Sequence, residues 1–296
     1  MAHVLPRDFH AVVAQLRDFF VKRGFLEAHV QNRLSILAAC EDPGTIAEFS
    51  YGPKNSDIAE AKTQNRRENV WPLPQTGQMW LEHLLLKDPT LPGLFCVTTS
   101  YRNEPKPVPG RHDVIFPLFE FECAGNLNDM LQLERDLLAH LGFPEGKEWD
   151  YMDLCQQYGV TELNHDHETR MCEEYGPVVF LKKFPMTTSP FWNMKRNSDG
   201  TTSQKVDVIL HGQETFGTAE RSCDPEEMER EFRTITEGKY AQTLYDRFGQ
   251  ERVETELKEF LSYDFFPRFG GGIGMTRLIR AMKLQGLLPT SDLISS

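Results

Sequence analysis

The sequence predicts an α+β fold, an antiparallel β-sheet flanked by helices, organised as a single domain over residues 1–296 with an insertion around residues 142–200. Three observations predict it. Two long strand patterns, "GLFCVTTSYRNE" and "VIFPLFEFECAG", are separated by "PKPVPGRHD", a connection too long and too proline-rich for a tight hairpin. Residues 8–23, "DFHAVVAQLRDFFVKR", carry Phe9, Val12, Val13, Leu16, Phe19 and Phe20 at helical spacing. Later, "VVFLKKFP", "KVDVILHGQETFG" and a glycine stretch alternate strand signals with loops.

Taken in order, the first helix has Asp8 near its start and Gly24 just past its end, and a strand-like "FLEAHVQ" follows. Residues 41–76 are rich in Pro, Gly, Asn and charge, and read as a long loop able to cover a site. "GQMWLEHLLLK" is a helix, the two long strands come next, and a helical pattern returns from Asn128 to Leu141. Residues 142–176 read as a polar, mixed segment. Within it "NHDHE", with His165 and His167, reads as a polar loop, because alternate histidines without a third ligand do not make a metal site. "SPFWNMKRN" reads as a core turn, and "DPEEMEREFRTITEGKYAQTLYDRFG" as a charged surface helix or pair of helices. No internal repeat is evident.

Composition excludes several classes. The chain is 40% hydrophobic and 26% charged, as ordinary globular proteins are, and its net charge of −12 argues against a broad phosphate-binding surface. No stretch approaches the ~18–20 uninterrupted apolar residues of a membrane helix, and "MAHVLPRDFH" lacks the apolar core of a signal peptide, so a cytoplasmic protein without membrane contact is expected. The six cysteines contain no C-x-x-C pair and are expected to be reduced structural thiols.

Three constellations bear on chemistry. "FPRFGGGIGMTRLIRAM" fits neither common phosphate fingerprint: measured from Gly270 or Gly272, the third glycine of G-x-G-x-x-G falls at Met275 or Arg277. It does offer a glycine strand that a flat ligand can approach closely, then a helix start with free N–H groups and a cation, Arg277. "YRNEPKPVPGRHDVIFPLFEFE" places Arg102, Glu104, Arg111, His112 and Phe116 on two strands and their connection, where guanidinium forks can meet phosphates and a ring can stack on a base. In "VDVILHGQE", Asp207 and Glu214 are carboxylates separated by a strand and a turn, a spacing that can hold Mg²⁺ against nucleotide phosphates.

In this order the three stretches resemble motifs two and three of the class II aminoacyl-tRNA synthetases, especially the subgroup activating aspartate, asparagine and lysine. The resemblance spans about residues 17–283, and "LPQTGQMWLE" and "VDVILHGQETFGTAERSCDP" extend it between the motifs. It implies ATP and Mg²⁺ as cofactors. Arg102 then grips the α-phosphate, Glu104 orients the adenine end or the amino acid, and Arg111 and His112 lie near the β- and γ-phosphates. Phe116 stacks on adenine, Gly272 and Gly274 admit the adenosine, and Arg277 faces the γ-phosphate. Asp207 and Glu214 hold the metal, with Glu214 also in the ATP site. Arg221, in "GTAERSCDP", matches the arginine that meets the side-chain oxygen of an Asp- or Asn-like substrate, and Gln75, Gln78 and Glu120 complete that amino-acid site.

Two departures accompany the resemblance. Gln31 stands where the pattern has a proline at the dimer interface, although a homodimer is still implied. The match begins near the start of the sequence, so the subgroup's N-terminal anticodon-binding barrel is expected to be missing. The leading expectation is therefore an ATP-dependent, AMP-forming ligase that passes an activated Asp- or Asn-like amino acid to ammonia or another small amine. The alternatives are transfer to a tRNA or protein side chain and, last, an inactive regulatory relative.

Overall fold

A computed structural model describes residues 4–51, 69–108, 113–188 and 190–289. In chain order these residues form α1 (Pro6–Lys22), β1 (Leu26–Glu27), α2 (Ile36–Ala39), β2 (Glu48–Ser50), β3 (Val70–Pro72), α3 (Gln78–Lys87), β4 (Leu94–Tyr101), β5 (Ile115–Ala124) and α4 (Leu127–Leu141). There follow β6 (Lys147–Asp150), α5 (Tyr151–Tyr158), α6 (His165–Tyr175), β7 (Val178–Pro185), β8 (Thr202–Leu210), β9 (Gln213–Glu220), α7 (Pro225–Thr234), α8 (Lys239–Phe248), α9 (Gln250–Leu261), β10 (Arg268–Gly274) and α10 (Met275–Leu284). The main sheet runs β1-β4-β5-β10-β9-β8-β7-β6, and β2 pairs with β3 apart from it. Its central pairings are antiparallel, as expected, while β1 with β4 and β6 with β7 run parallel at the two edges.

Each layer follows from a side-chain period. In β5, Phe119, Phe121 and Cys123 point to one face, where they join Phe95, Val206, Val208, Phe216, Phe269 and Ile273 in one apolar cluster. The helix stripe Val12, Val13, Leu16, Phe19 and Phe20 of α1 lies on that face with residues of α4 and α10. Pro6 begins α1 where its missing N–H costs nothing, and Gly24, at φ 83°, turns the chain just beyond the helix end.

The opposite face is covered in two pieces. Toward the β4 edge, Leu94 and Cys96 pack with α2, α3, α7, α8 and α9, and Trp192 sits fully buried among them, so "SPFWNMKRN" does supply a core residue. Toward β7, Val179, Leu181 and Phe184 pack with α5 and α6. Neither apolar cluster claims the middle of this face. That interval positions the site.

Residues 142–176 are more ordered than their composition suggests, since they supply β6, α5 and α6. "NHDHE" is the start of α6 and not a loop: the Asn164 side chain accepts from the N–H groups of Asp166 and His167, and His167 Nδ1 accepts the Asn164 N–H. α9 is a further helix that the strand-led reading passed over, although Val253, Leu257 and Phe260 mark its buried stripe. The charged stretch 224–249 is two helices, broken where Thr236 and Glu237 take left-handed backbone conformations. Among the described residues no helix is long and apolar enough to cross a membrane.

Phe20 is the hinge of the aromatic core, with its ring centroid 5.1–5.7 Å from those of Phe25, Phe95, Phe119 and Phe121. Phe20→Ala is expected to cost about 3–5 kcal/mol, by lost transfer energy plus the cavity left behind. Urea unfolding monitored by circular dichroism checks this, and a loss below about 1 kcal/mol would show that α1 is not anchored there.

Candidate active site

Because Phe119 and Phe121 enter the core, Phe116, Leu118, Glu120 and Glu122 face the other way. The register sets Glu120 beside Gly272, Gly272 beside Gly217, and Gly217 beside Asp207. The next row runs Glu122, Gly270, Ala219, Lys205. The middle of the face is thus floored by glycine and alanine and walled by charge on both sides, so a flat group can lie against the backbone. At Gly270 no other residue fits: a Cβ would stand 1.8 Å from Glu122 Oε2 and 2.4 Å from the Phe121 carbonyl oxygen.

Cations and carboxylates are paired across this floor. Arg102 extends the β4 ladder, its N–H donating to the Val114 carbonyl, and its guanidinium donates to Glu41 at 2.5 Å. Its Cζ lies 5.8 Å from the centroid of the Phe116 ring. Arg221, buried, holds Glu122 with both Nε and Nη2 at 3.1 Å, and Nη2 donates to Gln78 Oε1 at 2.7 Å. Arg268, fully buried, donates to Glu82 Oε1 at 2.8 and 2.5 Å, and the other Glu82 oxygen accepts from Asn193. Arg277 donates to the Glu214 carbonyl at 2.6 Å, with that residue's carboxylate 3.8 Å away. Arg221 with Glu122 and Arg268 with Glu82 are taken almost wholly from water, and such charges must be matched where they stand.

The structure therefore brings Arg102, Phe116, Gln78, Asp207, Glu214, Gly272, Arg221 and Arg277 to one face or its rim. Glu104 follows Arg102 in the chain and adds to the negative potential around it. Gly274 ends the floor, where β10 passes into α10. Arg111 and His112 lie outside the described residues.

Gln75 and Glu120, also expected at the amino-acid site, are engaged within the protein itself. The Gln75 amide accepts from the N–H groups of Glu41 and Asp42 and donates to Asp42 O and Thr45 Oγ1, so it is spent on holding that loop. Glu120, fully buried, accepts from Thr76, Thr98 and the Gly77 N–H, and so fixes the turn that starts α3.

Glu41, Glu82, Glu122 and Lys205 were not anticipated. Two carried a signal in the strand period: "FEFE" points both its acids to one side, and "KVD" puts Lys205 on the same side as Asp207. Glu41 carried none, because contacts distant in sequence, such as the Gln75 brace and the Asn103 N–H on the Thr45 carbonyl, bring its loop to Arg102.

The donor set suits a hard divalent cation shared with a ligand. Asp207 Oδ1 is buried with no hydrogen-bond partner. It lies 3.7 Å from the point where a Cβ on Gly217 would stand, and Glu214 Oε1 lies 3.3 Å from the same point. Among the described residues no group of three or more His, Cys, Asp or Glu gathers as a metal cage. Two carboxylates plus ligand oxygens is instead the arrangement magnesium takes beside phosphates.

Comparison with known proteins gives a consistent picture. The family described as tRNA synthetases class II (D, K and N) matches residues 7–286. The chain is 32% identical over 249 residues to an aspartate–tRNA(Asp) ligase of Pyrobaculum aerophilum, covering 73% of this chain and 53% of that protein. It is 22% identical over 304 residues to an asparagine–tRNA ligase of Pelotomaculum thermopropionicum, covering 89% and 62%. The chain thus spans less than two thirds of the length of these relatives. The crystal structure of asparaginyl-tRNA synthetase from Pyrococcus horikoshii complexed with asparaginyl-adenylate superposes with a TM-score of 0.72 at 19% identity, covering 93% of this chain and 64% of that one, and shows the same fold.

Three buried carboxyls set the electrostatics of the site and its backing. Burial pushes Glu122 up to about 7 against the pull of Arg221, and Asp207 up to about 7 against the pull of Lys205. Glu134 of α4, behind the floor, accepts from Thr218 Oγ1 at 2.6 Å and is pushed by burial to about 8. For Glu134 the folded chain holds a proton that the unfolded chain releases near its ordinary value, so its contribution makes stability fall as pH rises from the ordinary carboxyl range toward 8. Glu134→Gln keeps the Thr218 contact without a charge. It is expected to lose less stability than the wild type between about pH 6 and about pH 8.5, as read by urea unfolding at each pH. Parallel curves would show that Glu134 does not titrate in that range.

Proposed function

The chain belongs to the class II tRNA synthetases of the D, K and N group, and from that membership we propose that it activates an Asp- or Asn-like amino acid with ATP. In this reaction a substrate carboxylate oxygen attacks the α-phosphorus, the bond to the β-phosphate oxygen breaks, and an aminoacyl-adenylate and pyrophosphate result. The observation that carries the proposal is the arrangement around the glycine floor. Arg102 and Phe116 stand on the β4 and β5 side, while Asp207, Glu214 and Arg277 stand on the β8, β9 and α10 side.

The roles follow from charge and shape. Phe116 offers the adenine a face, and the glycines let the nucleotide lie on the backbone. Arg102 meets the α-phosphate and Arg277 the far phosphates, where fixed guanidinium charge opposes the negative charge that builds during displacement. Asp207 and Glu214 would hold Mg²⁺, which when bound neutralises phosphate charge. Glu41, already beside Arg102, suits the substrate ammonium, and Arg221 with Gln78 reads the side-chain oxygen. No residue acts as a nucleophile; alignment and charge neutralisation carry the reaction. The edge strand β1 and the neighbouring Gln31 lie where a second copy of the chain is proposed to dock, with Leu26 half exposed there.

For the acceptor, the relatives favour a tRNA. Both are named as tRNA ligases, whereas the sequence suggested a small amine first. Pyrophosphate exchange across a panel of amino acids tests activation, and incubation with tRNA or with ammonium then separates the acceptors. Aminoacyl-tRNA without an amide product beyond background supports this reading; efficient amide formation with uncharged tRNA restores the small-amine one. Arg221→Leu is expected to lose amino-acid-dependent exchange on the order of 100-fold while an ATP analogue still binds within a few-fold, as fits loss of a charge-assisted bond. Equal exchange by variant and wild type would remove Arg221 from the substrate site.

A further inference from the structure

Lys205 has no place in the roles above, yet it stands on the floor one register row from Asp207. Its side chain is buried, its Nζ donates to Asp207 Oδ2 at 2.8 Å, and it lies 3.9 Å over the Phe184 ring. Glu214 and Glu41 also act on it through space. A buried ammonium on a flexible stem is costly to hold, and this one is fixed from two sides, by a carboxylate oxygen and an aromatic face.

The two oxygens of Asp207 are thereby made unequal. Oδ2 is taken by Lys205, whereas Oδ1 has no partner and turns to the space beside Gly217 that Glu214 Oε1 shares. We propose that Lys205 is a positioning residue of the metal site: it holds one oxygen of Asp207, so that the carboxylate offers a divalent cation only the other. A cation arriving there finds one oxygen of Asp207, one carboxylate from Glu214 and a positive charge behind them. Binding is weak in the absence of phosphate and becomes favourable when a nucleotide's oxygens complete the shell. Lys205 thus makes metal and nucleotide enter together.

This inference rests on Asp207 and Glu214 as the metal carboxylates, and its test separates the two ideas. Binding of the α,β-methylene analogue of ATP is measured by calorimetry at pH 8.5, with Mn²⁺ and without it, and the ratio of dissociation constants reports their coupling. Direct Mn²⁺ binding without nucleotide is followed by electron paramagnetic resonance. Lys205→Met is expected to tighten nucleotide-free Mn²⁺ binding about tenfold, the size expected on removing one positive charge from a partly screened site. The metal-free variant is expected to melt at a lower temperature, because Asp207 loses its counter-ion. Lys205→Arg keeps the charge and is expected to restore wild-type Mn²⁺ affinity, and Lys205→Gln provides the same comparison as Met should that variant fold poorly.

Asp207→Asn is expected to abolish the coupling. If it leaves the coupling intact, or if the wild type shows none, the metal assignment itself falls. If Asp207→Asn abolishes the coupling while the neutral Lys205 variants bind Mn²⁺ as the wild type does or more weakly, the assignment stands and the role of Lys205 is overturned.

Discussion

Pairing of desolvated charge is the constraint on which the arrangement of this sheet depends. Glu82 with Arg268 and Glu122 with Arg221 lie almost wholly out of water. A buried charge left single costs several kcal/mol, so each of these groups must find its partner and fix the element that carries it. Arg268 ties β10 to α3, and Arg221 ties the end of β9 to β5 and, through Gln78, to the start of α3. The covering helices are thereby held at a set position over the strands.

The same constraint explains how such a site can be both stable and ready for a charged ligand. Removing water strengthens every interaction that remains, and groups already aligned need no reorganisation as charge develops. The inner pairs, Arg221 and Arg268 with their glutamates, are almost wholly buried. The outer pairs, Arg102 with Glu41 and Arg277 with Glu214, are partly exposed. An outer guanidinium can exchange a carboxylate for phosphate oxygen at modest cost, because water shares in the exchange. The floor between them carries no side chain at Gly272 and Gly217, so a ligand can approach backbone there while the walls supply the charge.

Much of this was legible in the sequence. The period of two in "FPLFEFEC" separates a core face from a charged face before any fold is known, and the helical period of residues 8–23 gives the packing stripe of α1. Arg102, Phe116, Asp207, Arg221 and Arg277 could be named because motif order places them in register. The hydrogen-bond partners of Gln75 and Glu120 were not legible. A buried amide or carboxylate that braces a turn has the same letter as one that meets a ligand, and only its hydrogen-bond partners tell them apart. Residues 142–176 misled, since their polar composition hid the Asn164 cap and the buried stripe of two short helices.

By itself the sequence determined the strand and helix periods, hence the α+β class, and the set of charged residues available to a site. Those properties are local, fixed by which side of a strand or helix each residue occupies. Only the tertiary structure decided which charges pair. Glu41 reaches Arg102 across 61 residues of chain, and Glu82 reaches Arg268 across 186. No local period encodes such distances; they are set by sheet order and by the need to match every charge removed from water.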